Sequence, residues 1–335
     1  MKALLVLLLF TISSFAEAGK PTSVAEGLRL QIFLDQKCFG PGFLDGKPGN
    51  FTEGAVYAYN RAHGRSPGDW EAIMADARAD VPTLYATATV PSFAKKYVNP
   101  KLSTKREKQA EEKMMSYRSY LEFMAERYHT SDSFLIELNG SKKMRNLAPR
   151  SVLKVPNIEP FRIEKLANGR SHKSDKTLSA RTVIIDTSMK QLFIYDPVGA
   201  VRVAPGVAVA VVDEEEEDPV GQLIAMFPTT PGQEKFIHRG HWEIRNCVEL
   251  PQWRYDKQLL EKGIRSDEYL QIPPGPNNPV GVLWSGLTRA GIGIHGTSNP
   301  RTIGRAQSAG CYRLANWDAA RFLNFARPGT KVIVR

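Results

Sequence analysis

The chain has 335 residues, with 45 Lys and Arg against 35 Asp and Glu and a net charge of +10 at neutral pH. That length fits two or three domains rather than one, and three cysteines are too few, and odd in number, for a disulfide framework. The positive balance alone would suit nucleic acid, but no recognised nucleic-acid-binding motif accompanies it, so the charge is read as attraction to another kind of anionic polymer.

The chain opens with Met1-Lys2, an apolar run from Ala3 to Phe15, and Ala16-Glu17-Ala18. A short basic start, an apolar stretch and small residues at a cleavage position predict an export leader over residues 1–18, removed after Ala18. The run is too short for a membrane span of about 20 apolar residues, and nothing later reads as one. Export takes the protein away from nucleic acid and from nucleotide-fuelled chemistry.

Residues 24–66 read as helix, loop, helix. Leu30 to Leu34 forms the apolar core of the first helix, and the Gly- and Pro-rich stretch Phe39 to Asn50 is the turn. The second helix is expected from Thr52 to His63, capped by Thr52, ended by Gly64, with Ala55, Val56 and Tyr59 on one face. Leu30-Gln31, then Asp45-Gly46, then Thr52 and Ala62-His63-Gly64, resemble a peptidoglycan-binding-type-1 module. Residues 67–116 read as linker, with the dense charge run Lys101 to Lys113 as a solvated helix or tether. From Tyr120 to Pro156 two short helices precede an extended segment, and His129 is expected to pack rather than to bind metal. Asn139 at the second helix end, with Leu147-Ala148-Pro149 and Leu153-Lys154-Val155-Pro156, makes residues 117–158 resemble the later part of a LysM module, without its usual Gly-Asp-Thr start.

From Thr182 the apolar period becomes two. Thr182 to Asp186 and Gln191 to Tyr195 flank a polar turn and predict a β-hairpin, and Val201 to Val212 continues in β-rich residues. The acidic run Asp213 to Asp218 is expected to be a solvated loop, since adjacent carboxylates repel if packed, and a calcium site is disfavoured because the alternating spacing of one is absent. Near the C-terminus Asn316 is expected to cap a helix running through Phe322, and Lys331 to Val334 returns to strand.

The chemistry is concentrated in Ile294-His295-Gly296-Thr297 and Ser308-Ala309-Gly310-Cys311-Tyr312-Arg313. A thiol attacks as the thiolate, and an imidazole beside it is the usual means of removing its proton. Gly296 and Gly310 flank the pair where backbone must approach a substrate or take positive φ. On a strand, Arg313 would share a face with Cys311. A zinc site built from His238, His241 and His295 is disfavoured, because the spacing lacks the one-face helical geometry of such ligands.

His295, sixteen positions before Cys311, with Ser308, Gly310, Tyr312 and Arg313 in place, resembles the L,D-transpeptidase catalytic domain of the YkuD type. The resemblance extends upstream through Pro273 to Gly281 and downstream through Asn316 to Val332, covering most of residues 180–335. Many members carry a second His where this chain has Ala309. The resemblance implies a mainly β catalytic domain, an L,D-transpeptidase-like β-sandwich over 180–335, preceded by small α-helical modules. It implies Cys311 as nucleophile and His295 as base, with Gly310, Ser308, Gly296 and Thr297 shaping the oxyanion site or orienting the His. Arg313, Tyr312, Trp284 and Trp253 are the candidate substrate contacts, Arg313 because its planar fork matches a carboxylate. No cofactor or metal is required. The implied partner is peptidoglycan, its stem peptides and glycan. Two alternatives stand beside the transpeptidase: an L,D-carboxypeptidase, with water as acceptor, and a wall-binding protein with a weak catalytic domain.

Overall fold

A computed structural model describes residues 19–200, 220–258, 264–305 and 310–335. The expected leader at 1–18, the β-rich run 201–212, the acidic run 213–218, Ser308 and Ala309 lie outside the described residues. Among the described residues no helix is long and apolar enough to cross a membrane.

The chain begins with α1 (Val24–Gln36), α2 (Asn50–Ala62) and α3 (Trp70–Asp80). Gln31 explains the paired sequence signals here. Its side-chain oxygen accepts from the backbone N–H groups of Asp45 and Gly46 at 3.0 and 2.7 Å, so the first helix holds the turn that leads to the second. Thr52 does not cap α2. The N-cap is Gly49, and Thr52 lies inside the helix with its hydroxyl donating to the Pro41 carbonyl at 3.1 Å. A buried acceptor in the loop outcompeted the helix end for that hydroxyl.

Beyond α3, β1 (Tyr85–Thr89) pairs antiparallel with β2 (Val152–Pro156). Between them lie the short α4 (Arg106–Ala110), α5 (Tyr120–Arg127), α6 (Asp132–Asn139) and α7 (Ser141–Arg145). Asn139 closes α6 by bonding both backbone groups of Lys154, accepting from its N–H at 2.7 Å and donating to its carbonyl at 2.8 Å. The strand partner of 152–156 is therefore in a stretch that sequence pattern left unassigned.

The remaining strands are β3 (Ser171–His172), β4 (Thr182–Asp186), β5 (Gln191–Tyr195), β6 (Leu223–Pro228), β7 (Gly240–Glu249), β8 (Trp253–Tyr255), β9 (Leu270–Ile272), β10 (Leu283–Leu287), β11 (Gly293–His295), β12 (Tyr312–Arg313) and β13 (Lys331–Val334), with α8 (Asn316–Phe322) before the last. Nine of them form one sheet in the order β12-β11-β10-β7-β13-β4-β5-β6, with β3 added against β7. The expected hairpin is present as β4–β5, in register from Thr182 opposite Tyr195 to Asp186 opposite Gln191. The protein is thus mainly β over this region with helices N-terminal to it.

The sheet curls until its two ends meet. Thr230, just beyond β6, bridges to Arg313 of β12, each donating its N–H to the other's carbonyl at 3.0 and 3.1 Å. Both faces are covered. Val183, Ile185, Leu192 and Ile194 point into one core, shared with Phe322 of α8, whereas Ile184, Phe193, Tyr195 and Met226 point into a second, built by α1 to α3. Burial on both faces means that Val183 to Ile185 and Leu192 to Tyr195 are buried without interruption, rather than with the period of two expected from the sequence.

A buried charged junction ties the helices to the C-terminal end. Asp35 of α1 accepts from Arg321 of α8 at 2.8 and 2.9 Å and faces His129 Nδ1 at 2.9 Å. His129 in turn stacks on Trp317, with ring centroids 5.4 Å apart. Burial would raise the Asp35 carboxyl, but Arg321 and His129 hold it well below the usual carboxylate range. Removing one partner from such a pair leaves the other buried and uncompensated, at a cost of about 3–5 kcal/mol. Asp35→Ala should therefore lose about that much unfolding free energy in urea titration at pH 7; a loss under about 1 kcal/mol would show the junction to be energetically idle. Because the folded-state value is depressed, the wild-type advantage should be full above about pH 4 and fade as pH falls below it.

Candidate active site

Three neighbouring strands assemble the site. In β10 and β11, Trp284 sits opposite His295, and in β11 and β12, which run parallel, His295 sits opposite Arg313. The Trp284 and His295 rings stack at 5.7 Å with an interplanar angle of 22°. Trp284 also lies over Gly293, where an added Cβ would meet indole carbons at 3.0 Å. Cys311 immediately precedes β12, and alternation carried back from the strand puts it on the face of Arg313 and sends Tyr312 to the other side. Tyr312 is 1% exposed and belongs to the main core, where burial pushes its hydroxyl up to about 12. It has almost no surface to offer a ligand.

The thiol of Cys311 is half-buried. Its Sγ lies 3.5 Å from the Gly291 carbonyl, and it is also bonded to the backbone of Gly293. Gly310, just before it, has φ of +110°, in the region that favours glycine. Gly296 has a different reason. A Cβ there would lie 2.4 Å from the Asn316 side-chain oxygen.

His295 is 5% exposed, and its Nδ1 is 2.6 Å from the Gly296 carbonyl. A carbonyl only accepts, so Nδ1 carries the hydrogen and donates it, and Nε2 keeps its lone pair. Burial pulls the imidazole down to about 4; the bond to Gly296 opposes this and the Arg313 guanidinium adds to it. Burial likewise pushes the Cys311 thiol up to about 11, against the Gly293 backbone bond and Arg313, which both lower it. At neutral pH the resting pair is therefore thiol and neutral imidazole, not thiolate and imidazolium. Arg313 acts on both groups and holds β12 through its backbone bonds to Thr230, reinforced by the Thr229 hydroxyl at 3.0 Å from its carbonyl.

Asn316 was expected to cap α8, but the N-cap is Ala315, and the Asn316 side chain turns away into the protein. Its oxygen accepts from the N–H groups of Val282 and Thr297, both at 3.2 Å. Its nitrogen donates to Glu126 at 3.0 Å and to the Pro276 carbonyl at 3.1 Å. These bonds saturate the amide, and tertiary acceptors displaced the local capping role. Thr297 uses its own hydroxyl to accept from the Asn299 N–H at 3.2 Å, which shapes the turn after the His. Sequence reasoning missed Gly293, Thr229, Thr230 and Glu126; no local motif distinguishes them. Trp253 stands elsewhere, packed with Tyr255 and under Arg106 in a satellite cluster. His241 sits opposite Ile333 in the sheet, and His238 is near Arg289. Cys247 is fully buried and takes the Ser285 hydroxyl at 3.3 Å, and burial raises its thiol.

The seam of the curled sheet thus brings a thiol, a neutral imidazole and a guanidinium together. Residues 180–334 match the L,D-transpeptidase catalytic domain, YkuD, and that part of the chain is a catalytic domain of this family. Among similar proteins is one named "Putative L,D-transpeptidase YkuD" from Bacillus licheniformis, 41% identical over 61 residues, 18% of this chain and 37% of that protein. Its namesake from Bacillus subtilis is 41% identical over 59 residues, again 18% of this chain and 36% of the relative. A protein of Fuscovulum blasticum named "Putative L,D-transpeptidase in ATP synthase subunits region ORF 5" is 34% identical over 110 residues, 32% of this chain and 57% of its own length. The matched stretches thus span only about a third to somewhat over half of these relatives. Among solved structures, an L,D-transpeptidase from Mycobacterium smegmatis has a TM-score of 0.31 at 14% identity, over 56% of this chain and 74% of that one. L,D-transpeptidase 3 from Mycobacterium tuberculosis has a TM-score of 0.31 at 16% identity, over 56% and 75%.

The neutral resting pair makes a specific prediction. Alkylation of Cys311 by iodoacetamide, followed by peptide mass spectrometry, should be slow at pH 7 and still accelerating above pH 9. A plateau by pH 7 would mean that an ion pair exists at rest.

Proposed function

We propose that the chain is a cysteine-dependent L,D-transpeptidase that forms peptidoglycan cross-links through a thioester acyl-enzyme. The observation that carries this reading is the His295 tautomer. With Nδ1–H committed to the Gly296 carbonyl, Nε2 is the nitrogen left to accept a proton, and His295 is in register with Arg313, two residues from the thiol.

In the first step the Cys311 Sγ–H proton passes to His295 Nε2 as sulfur bonds to the carbonyl carbon of a donor tetrapeptide stem, at its L-to-D amide. Proton transfer accompanies attack, since neither group is ionised beforehand. Backbone N–H groups around Gly310 and Cys311, with Gly296, Thr297 and Ser308 shaping the loop, would stabilise the oxyanion; one such donor typically contributes on the order of 3 kcal/mol. The amide C–N bond then breaks, and His295 returns the proton to the departing D-amino acid. An acceptor amine on a neighbouring stem attacks the thioester, gives its proton to His295, and releases the thiol with a new amide formed. Arg313 suits the stem carboxylate, and Trp284 holds the imidazole plane. The reaction conserves amide bonds, so it needs neither nucleotide nor cofactor. The expected leader at 1–18 would place it in the periplasm or cell wall, with peptidoglycan as partner.

Mass spectrometry of purified muropeptides after incubation with the mature protein tests the reading: cross-linked dimers support it, shortened stems alone point to carboxypeptidase, and unchanged substrate to a wall-binding protein. Cys311→Ala should abolish turnover while leaving thermal unfolding near wild type, because little volume is lost. His295→Ala should slow turnover roughly 100- to 10,000-fold, the size of a general-base contribution. Substantial turnover by Cys311→Ala would sink the mechanism.

A further inference from the structure

We propose that Glu126 and Asn316 are positioning residues for His295, acting through the peptide unit between Gly296 and Thr297. This rests on His295 being the base, as proposed above. The peptide unit has two ends, and both are engaged. Its carbonyl, from Gly296, receives His295 Nδ1–H at 2.6 Å. Its N–H, from Thr297, donates to Asn316 Oδ1 at 3.2 Å. Asn316 thus sets the rotation of the group that sets the imidazole tautomer.

An amide side chain has an accepting end and a donating end, and reversing it by rotation costs little where the partners are indifferent. Here they are not. On one side Asn316 meets two N–H groups, from Val282 and Thr297. On the other it meets the Glu126 carboxyl and the Pro276 carbonyl. A reversed amide would set N–H against N–H on one side and oxygen against oxygen on the other. Glu126 is itself anchored by the Tyr117 hydroxyl, which donates to its other oxygen at 2.6 Å. Asn316 and Glu126 are 0% and 7% exposed, so water does not replace a lost partner cheaply.

Glu126 lies on α5, upstream of the matched catalytic domain at 180–334. The base of the catalytic domain is therefore oriented in part by a helix outside it. The same helix reaches the site a second way: Glu122 accepts from Asn277 at 2.8 Å, in the loop that supplies the Pro276 carbonyl.

The test is made on the full mature chain. Nitrogen-15 NMR of the histidine rings, with the His295 signals identified by their loss in His295→Ala, reports the tautomer directly. Wild type should show the Nδ1–H form at pH 7. Glu126→Leu should show mixed tautomers at His295, with kcat at least tenfold lower and KM within about twofold. Glu126→Gln keeps an acceptor for Asn316 and turns an amide N–H toward Tyr117, whose hydroxyl can accept; it should restore the Nδ1–H form and most of kcat. If Glu126→Leu does not fold, Glu126→Asp, which draws the carboxylate back from Asn316, is read in the same way. A folded Glu126→Leu or Glu126→Asp with wild-type tautomer and kcat would overturn the proposal. Wild-type turnover in His295→Ala would instead remove the base assignment, and the tautomer measurement would still decide whether Glu126 positions the ring.

Discussion

The closure of the sheet is the constraint on which the site depends. Cys311 directly precedes, and Arg313 ends, a two-residue strand at the sheet's edge, too short to hold its place by one ladder alone. It is pinned on one side by β11 and on the other by Thr230, which arrives from the opposite end of the sheet. Without that second contact the strand that follows Cys311 would be a free edge. With it, thiol, imidazole and guanidinium sit at a seam whose two walls come from distant parts of the chain.

Curling brings a second requirement, because a sheet with two apolar faces must bury both. One face is closed by α8 and the segments packed with it, the other by α1 to α3. The N-terminal helices are consequently part of the same packed body as the catalytic strands. The Asp35–Arg321 pair and the stack of His129 on Trp317 cross that boundary, as does the Glu126–Asn316 bond. The packing of the helical segments against the strands is itself a mechanical role.

Burial is also the source of the site's electrostatics. It holds the thiol protonated and the imidazole neutral, pushing one to about 11 and the other to about 4. A resting enzyme of this kind spends little time as a thiolate and is correspondingly protected from oxidation and adventitious alkylation. In the proposed mechanism the thiolate forms only as the carbonyl is attacked, when the imidazole can take the proton and the oxyanion donors take the charge.

The amino-acid sequence by itself determined the features that are local. The glycines beside His295 and Cys311 were legible as fixed points, because close backbone approach and positive φ need glycine. The β4–β5 hairpin and the helix–turn–helix at 24–62 followed from periodicity and turn residues. Only the tertiary structure decided which partner each versatile polar side chain chose. Thr52 and Asn316 both looked like helix caps, and both turned to buried acceptors or donors brought from elsewhere in the chain. Strand 85–89 is not marked in the sequence because its partner lies 63 to 71 residues away and its alternation is weak. Glu126 carries no motif at all; its place beneath the catalytic loop exists only once α5 has packed there. Short-range conformational preference is written in neighbouring residues, whereas a saturated buried amide is a property of the folded neighbourhood, and no window of sequence contains it.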